Sequence, residues 1–212
     1  MATAAANGIF FNTGQICAAG SRLFVHERVY NKVMDGVVRR ARELKIGPGS
    51  EPDTFMGPVV SAAQLERVTS HVRAGQQQGA EIVSGEQQLP ERGYFVRPTV
   101  LSNVRPDMTV MREEIFGPVV CALRFNDDDL DTIARSANDT SYGLSAYIWT
   151  SNVSIAHKLA SRIKAGSISV NGGAGMDFTM PFGGFKQSGL GREHGREGVE
   201  AYTETKTISI TL

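Results

Sequence analysis

Cysteine is scarce in this chain: only two of the 212 residues, Cys17 and Cys121, carry a thiol. Two cysteines that lie far apart do not form a disulfide framework, which favours a reducing, cytoplasmic setting. The four histidines are scattered, and neither Cys-x-x-Cys nor His-Glu-x-x-His spacing occurs. The sequence therefore predicts no metal site.

An excess of charge of either sign is also lacking. Lys and Arg number 22 together, Asp and Glu also number 22, and the net charge is zero with neutral histidines. A chain without a basic surplus is not expected to bind nucleic acid or an anionic membrane. No apolar run approaches the roughly 20 residues that span a bilayer, and the first residues do not resemble a signal peptide. These absences predict a soluble globular protein.

Hydrophobic residues repeat with two periods that alternate along the chain. Helical spacing, as in Ile155, Leu159 and Ile163, predicts helices at residues 2–12, 29–44, 61–78, 130–138 and 151–164. Short apolar or alternating runs predict strands at residues 23–25, 80–84, 94–101, 119–125, 144–149 and 167–170. This order predicts an α/β fold with a helix-flanked, mostly parallel open sheet.

Two segments depart from this alternation. Residues 171–198 contain nine glycines, and a long Gly-rich loop in a compact domain is usually functional or disordered. The interleaved Phe178, Phe182 and Phe185 argue against disorder. Residues 205–212 alternate apolar and polar side chains without a following helix, which predicts a C-terminal strand that pairs with something outside its own domain.

Cys17 lies between two glycines, Gly14 and Gly20, and has small neighbours. Glycines allow the backbone to approach a substrate closely, and a thiolate is a strong nucleophile. A lone cysteine in a cytosolic chain is nevertheless more often a small buried hydrophobe. Cys121, inside the apolar run of residues 119–122, fits that second interpretation.

The segment Glu113-Glu114-Ile115-Phe116-Gly117-Pro118 places two carboxylates before an aromatic ring and a turn. One interpretation is that a carboxylate binds a polar ligand such as a ribose while Phe116 packs on the ligand's ring. The other interpretation is a solvated turn that precedes a strand. The residues alone leave both open.

A resemblance to a known family rests on five ordered motifs. The segment Phe10-Phe11-Asn12-x-Gly14-Gln15-x-Cys17-x-Ala19-Gly20-Ser21-Arg22 resembles the active-site cysteine motif of the NAD(P)-dependent aldehyde dehydrogenase superfamily. Further matches follow in the family's order: Met56-Gly57-Pro58, Gly93-Tyr94-Phe95-x-x-Pro98-Thr99, residues 113–118 and Pro181-Phe182-Gly183-Gly184-x-Lys186-x-Ser188-Gly189. The tail from Tyr202 to Thr207 is similar too, so the resemblance covers essentially the whole chain.

The resemblance implies a function and a set of roles. Cys17 would attack an aldehyde carbonyl, a hydride would leave the thiohemiacetal for NAD or NADP, and water would hydrolyse the thioester to a carboxylic acid. Glu114 would hold the nicotinamide ribose and Phe116 would pack near the nicotinamide. The remaining site residues would be Gln64 and Arg67 beside the ribose, and Ile16, Met176 and Phe182 in the aldehyde tunnel.

The sequence also departs from the family pattern. The family's general base is a Glu in a Glu-Leu-Gly-Gly-Lys motif that precedes the cysteine, whereas none of the 16 residues before Cys17 is acidic. The expected organisation is a catalytic thiol domain at 1–204 and a strand of the oligomerisation element at 205–212. The N-terminal dinucleotide-binding domain is expected to be absent, and the isolated chain to be inactive.

Three functions follow from these patterns. The first is an aldehyde dehydrogenase catalytic domain that needs a further domain, and the second is a cysteine-dependent esterase, because acyl transfer requires no nicotinamide. The third is a non-catalytic assembly module that acts through residues 205–212. In each case we expect a homodimer or a higher homo-oligomer.

Overall fold

A computed structural model describes residues 1–84, 86–126, 129–172 and 177–212. The helices are α1 (Ala2–Phe10), α2 (Tyr30–Glu43), α3 (Ala62–Gln77), α4 (Thr109–Arg112), α5 (Leu130–Asn138), α6 (Val153–Ala160) and α7 (Gly195–Glu200). The strands are β1 (Arg22–His26), β2 (Glu81–Ile82), β3 (Thr99–Ser102), β4 (Val119–Phe125), β5 (Tyr142–Gly143), β6 (Ser145–Ile148), β7 (Ser167–Val170) and β8 (Phe185–Lys186). Among the residues described, none of the helices has both the length and the apolar character needed to span a bilayer.

The larger sheet has the strand order β1-β4-β3-β2. Strands β1 and β3 flank β4 in parallel, with Arg22 opposite Cys121 and Thr99 opposite Val119. Strand β2 pairs antiparallel with β3. Strands β6 and β7 form a separate parallel pair, and β5 and β8 a short antiparallel one. The prediction of an α/β fold with a mostly parallel open sheet is confirmed.

The core lies on both faces of β4. Val120 and Ala122 pack into one cluster with helices α1 and α2, where Phe10 and Val37 are fully buried. Their neighbours on the opposite face, Val119 and Cys121, belong to a second cluster with residues of α3 and α4. Burial of both faces explains why the sequence of β4 is continuously apolar instead of alternating.

Several predicted elements are shorter in the structure, for identifiable reasons. The extended run predicted at 94–101 forms a ladder only from Thr99, because Pro98 has no N–H to donate, and the Thr99 amide donates to the carbonyl of Pro118 over 2.8 Å. Helix α6 begins at Val153 because the Asn152 side chain accepts the amides of Ser154 and Ile155.

Residues 205–212 form neither helix nor strand in the single chain, and every one of them is exposed. A strand requires a partner to accept and donate its backbone hydrogen bonds. The assignment of this segment to an oligomerisation element, and the division of the chain at residue 204, stay predictions.

Candidate active site

The loop that carries Cys17 begins where helix α1 ends. Asn12, Thr13 and Gly14 have φ values of 50°, 58° and 70°, so three successive residues occupy the left-handed region. Such a conformation is costly for residues other than glycine and persists only where surrounding contacts hold it. It breaks the predicted helix 2–12 after Phe10 and brings Cys17 to the surface, where the thiol is exposed.

Side-chain hydrogen bonds hold this loop against a distant segment. The Thr13 hydroxyl donates to the carbonyl of Gly57 over 3.0 Å. The amide of Val60 donates to the Gln15 side-chain oxygen over 2.9 Å. These contacts give a physical role to the Met56-Gly57-Pro58 motif, because its backbone supports the loop of the cysteine.

The loop also lies directly against the segment 113–118. A Cβ atom added to Gly14 would lie 2.1 Å from the carbonyl oxygen of Gly117, so only glycine allows this approach. The sequence singled out these two segments separately. The structure brings them together, with the cysteine loop on one side and Glu114 and Phe116 on the other.

Two residues of helix α3 hold the backbone of the segment 113–118. The Gln64 amide donates to the carbonyl of Phe116 over 2.7 Å and to that of Ile115 over 3.2 Å. The Arg67 guanidinium donates to the carbonyl of Glu114. The polar groups of Gln64 and Arg67 are thus engaged by the backbone of this segment, and their place beside a ribose stays a prediction.

The two carboxylates of the segment differ in their surroundings. The Glu113 carboxylate lies 3.3 Å from the His71 ring nitrogen. The Glu114 side chain, by contrast, is exposed and makes no hydrogen bond or ion pair with the part of the chain that the structure describes. Phe116 keeps a positive φ of 55° and leaves about a third of its side chain open to solvent. A carboxylate with no partner among the described residues, two positions before an open aromatic ring, is compatible with a ligand that has hydroxyl groups and a flat ring.

A cavity of about 630 Å³ joins these features. Its lining includes Ile16, Cys17, Glu114 and Phe116, and its volume is in the range of small-molecule sites. The backbone N–H of Cys17 donates to none of the described residues. The residue that lines this cavity thus has an exposed thiol and an amide that no described residue accepts.

Tyr147 is a site residue that the sequence did not reveal. Its hydroxyl donates to the carbonyl of Ala18, next to Cys17, over 2.9 Å. Burial raises the pKa of the Tyr147 phenol, and the nearby Cys17 thiol raises that pKa further. Tyr147 belongs to a strand predicted only as an apolar run, and 129 positions separate it from Ala18.

The predicted tunnel residues have different outcomes. Ile16 is half-buried and lines the cavity. Phe182 is not among the described residues that line it; its ring stacks 6.2 Å from that of His194, and its amide donates to the carbonyl of Glu193 over 2.7 Å. Met176 lies outside the described residues. The substrate-contact roles of all three stay predictions.

Cys121 lies in the interior of β4 and is fully buried. Burial raises the pKa of its thiol to about 12, although the Arg22 guanidinium opposes part of that shift. The structure therefore separates the two cysteines as the sequence suggested, one in an accessible loop and one in the core.

The chain is similar to known proteins over nearly its whole length. The model of the aldehyde dehydrogenase family matches residues 1–208. The putative aldehyde dehydrogenase DhaS of Bacillus subtilis is 46% identical over 208 residues, which are 98% of this chain and 42% of that protein. A mitochondrial aldehyde dehydrogenase of Leishmania tarentolae is 44% identical over 98% of the chain and 41% of its own length. The chain thus spans about two fifths of these relatives.

Solved structures of aldehyde dehydrogenases also superpose on nearly the whole chain. An NAD+ complex of the aldehyde dehydrogenase of Bacillus cereus superposes with a TM-score of 0.91 and 44% identity over 96% of this chain and 41% of that one. The indole-3-acetaldehyde dehydrogenase AldA of P. syringae superposes with a TM-score of 0.94 and 40% identity over 100% of this chain and 43% of that one. Since the family model covers nearly every residue, this chain belongs to the aldehyde dehydrogenase family.

Proposed function

We propose that this chain is the thiol-bearing part of an aldehyde dehydrogenase and that Cys17 is its nucleophile. One observation carries the proposal: Cys17, whose thiol is exposed and whose amide donates to none of the described residues, lines one cavity with Glu114 and Phe116. A nucleophile, a hydrogen-bond donor and a candidate ligand-binding surface are the parts that oxidation of an aldehyde through a thioester requires.

The reaction begins with attack of the Cys17 thiolate on the aldehyde carbonyl carbon. A C–S bond forms, the carbonyl π electrons move to oxygen, and the product is a thiohemiacetal. The Cys17 N–H, which donates to none of the described residues, would donate to the oxyanion that develops in this step. Hydrolysis of the later thioester releases a carboxylic acid and returns the thiol, because sulfur is both a good nucleophile and a good leaving group.

Four residues would hold the cofactor, NAD or NADP. The Glu114 carboxylate would accept hydrogen bonds from ribose hydroxyls, and the Phe116 ring would pack near the nicotinamide. Gln64 and Arg67 would act mainly by fixing the backbone of the segment 113–118, since their polar groups already bind its carbonyls. The cofactor, when bound, supplies the hydride acceptor that converts the thiohemiacetal to a thioester.

The 212-residue chain alone is proposed to lack dehydrogenase activity. It spans only about two fifths of its relatives, and the 16 residues that it has before Cys17 include no Asp or Glu. Loss of a general base alone typically costs on the order of 10² to 10⁴ in rate. In the complete enzyme we propose a homodimer or higher homo-oligomer through residues 205–212, and a cytoplasmic location in keeping with two free cysteines.

A chimera tests the proposed function. Replacing the matched part of DhaS by this chain gives a protein of complete length, in which aldehyde-dependent reduction of NAD is measured. Cys17→Ala should lower the turnover by about 10³-fold or more, whereas Cys121→Ala, the matched control, should leave it within a few-fold. A chimera that remains active without Cys17 would refute the assignment.

Thioester or ester hydrolysis is a second candidate activity, because the thiol and its oxyanion donor both belong to this chain. Slow turnover of an activated ester by the chain alone, abolished by Cys17→Ala and kept by Cys121→Ala, would support it. Turnover that is unchanged in Cys17→Ala would exclude it.

A further inference from the structure

Cys17 lies at the corner of a tight turn. The amide of Ala19 donates to the carbonyl of Ile16 over 3.0 Å, so residues 16–19 form a β-turn in which Cys17 is the second residue. One backbone hydrogen bond closes such a turn, and many turns in proteins lack even that bond. The directions of the Cys17 thiol and amide therefore depend on what keeps the turn 16–19 closed.

The peptide group between Ala18 and Ala19 is held at both of its ends. Its N–H is the Ala19 amide that closes the turn on Ile16. Its carbonyl, that of Ala18, accepts a hydrogen bond from the Tyr147 hydroxyl over 2.9 Å. Because a peptide group is planar and rigid, a partner at each end fixes the orientation of the whole unit. The Tyr147 hydroxyl thus stabilises the same peptide group whose rotation would open the turn 16–19.

Tyr147 reaches the Ala18 carbonyl from a well-supported strand. Its position in β6 is opposite Ser169 of β7. After the last paired residues, the Asn171 side chain accepts a hydrogen bond from the Thr150 amide over 3.0 Å and donates to the Thr150 carbonyl over 2.7 Å. The strand pair is thus closed at the end that follows Tyr147, and the phenol is attached to a backbone with little freedom to move.

The ring of Tyr147 lies beside the loop that follows the turn 16–19. A Cβ atom added to Gly20 would be 4.0 Å from Cδ2 of the Tyr147 ring, an ordinary van der Waals distance. The side chain as a whole is half-buried. Packing of the ring and hydrogen bonding of the hydroxyl can therefore be separated by substitution, because phenylalanine keeps the ring and removes only the hydroxyl.

The Tyr147 hydroxyl stays protonated at the pH at which a thiolate forms. Burial raises the pKa of the phenol, and the nearby Cys17 thiol raises that pKa further. Since the ordinary pKa of a tyrosine is already about 10, the hydroxyl is neutral at neutral and mildly alkaline pH. It is therefore a fixed hydrogen-bond donor to the Ala18 carbonyl and not a base that takes the proton of the thiol.

We propose that Tyr147 is a positioning residue for the reaction of Cys17: its hydroxyl keeps the turn 16–19 closed, so that the Cys17 sulfur and the Cys17 N–H act on one carbonyl group together. The sulfur attacks the carbonyl carbon, while the N–H donates to the oxygen that receives the electron pair. Both groups belong to one residue, and their directions depend on the backbone of the turn. The inference rests on the proposed role of Cys17 as the nucleophile.

Two reactions of the same thiol separate positioning from reactivity. In alkylation by iodoacetamide the sulfur displaces iodide from a saturated carbon, and no oxyanion develops. In acetylation by p-nitrophenyl acetate the sulfur adds to the ester carbonyl, an oxyanion forms, and p-nitrophenolate then leaves. The second reaction therefore uses the Cys17 N–H as well as the sulfur. Loss of positioning should slow acetylation and leave alkylation unchanged.

The test compares Tyr147→Phe with the unchanged 212-residue chain. Acetylation of Cys17, followed by peptide mapping with mass spectrometry, should slow by about tenfold, because misaligned reacting groups lose part of the advantage of proximity. Alkylation of Cys17 should stay within about twofold. Tyr202→Phe is the matched control: it removes a phenol hydroxyl from a side chain that is 94% exposed, and it should change neither rate.

Three outcomes would contradict the proposal. Acetylation at the unchanged rate in Tyr147→Phe would show that the hydroxyl is dispensable. Equal slowing of both reactions, or faster labelling of the buried Cys121, would show that Tyr147 only stabilises the fold. These two outcomes leave the role of Cys17 intact. An acetyl group found on residues other than Cys17 would overturn the proposed function together with this inference.

The chimera with DhaS gives a second readout, with an aldehyde as substrate. Tyr147→Phe should slow the single-turnover reduction of NAD at saturating aldehyde by about tenfold. The aldehyde concentration that gives the half-maximal rate should stay within about twofold, because the hydroxyl contacts the backbone of the turn 16–19 and not the substrate. A rise in that concentration with an unchanged maximal rate would place Tyr147 in substrate binding and overturn the positioning role.

Discussion

The sheet region, residues 1–125, and the C-terminal region, residues 177–212, differ in how far their large apolar side chains are buried. The sheet region buries Phe10, Leu101 and Val120 almost completely. In the C-terminal region Tyr202, Ile210 and Leu212 are each at least 78% exposed. In the sheet region, apolar side chains of neighbouring elements bury one another. In the C-terminal region, apolar side chains remain exposed in the single chain. Exposed apolar residues in such number mark a surface made for contact.

The largest effect expected from this comparison concerns the two thiols of the sheet region. At a pH near 8, a thiol with a pKa of about 12 is ionised in roughly one molecule in ten thousand, and Cys121 is also shielded by packing. Iodoacetamide should therefore modify the exposed Cys17 more than about 10³-fold faster. Peptide mapping by mass spectrometry gives both rates.

Denaturant provides the control for this prediction. In the unfolded chain both thiols should react at similar rates. Equal labelling in the native chain would show that the sheet region opens readily and would remove the contrast between the two regions.

Substitution of two glycines of the sheet region by alanine should give the next largest effects, which are changes of opposite sign in the free energy of unfolding. Gly14→Ala would place a methyl group 2.1 Å from the Gly117 carbonyl oxygen at a φ of 70°, and should destabilise the chain by about 3–5 kcal/mol. Gly8→Ala, in α1 with nothing within 4 Å, should stabilise it by about 0.5–1 kcal/mol. Urea unfolding measures both. A tolerated Gly14→Ala would mean that the loop of Cys17 and the segment 113–118 are not packed together.

The sequence predicted the sheet region well because the patterns that indicate its strands and its loop lie within short stretches of the chain. The continuous apolar run of β4 reports burial on both faces, and the glycines around Cys17 report an unusual backbone. Motif order then indicated that Cys17 and Glu114 belong to one site. Within β4 the sequence also distinguished Cys121 as a core residue.

Long-range contacts were not predictable in the same way. Nothing near Tyr147 indicates that its hydroxyl would donate to the carbonyl of Ala18, since the contact depends on how strand β6 and the distant loop of Cys17 lie. The bonds from Thr13 to Gly57 and from Val60 to Gln15 also join segments whose proximity only the fold creates. The C-terminal region illustrates a further limit, because alternation predicts a strand but cannot supply its partner.

A pair of core and tail substitutions compares the two regions directly. Leu101→Ala removes a fully buried side chain and should cost about 2–5 kcal/mol of unfolding free energy. Ile210→Ala removes a side chain that is 78% exposed and should change it by less than about 0.5 kcal/mol. Denaturant melts at low protein concentration provide both values. A large cost for Ile210→Ala would reveal burial that the single chain does not have.

Deletion of residues 205–212 should have the smallest effect on the stability of the single chain, below about 0.5 kcal/mol, because these residues are exposed and form no helix or strand. Its effect on assembly should be different. An alternating segment with unpaired backbone groups tends to pair with another chain, so light scattering should give a dimer for the full chain and a monomer for the deletion. Lys206→Glu is the matched control, since it alters the charge of the tail and keeps Ile208, Ile210 and Leu212. A full chain that is monomeric at micromolar concentration, or a deletion that remains dimeric, would contradict this prediction. Either result would mean that the exposed side chains of the C-terminal region contact the rest of the enzyme and not a second copy of this chain.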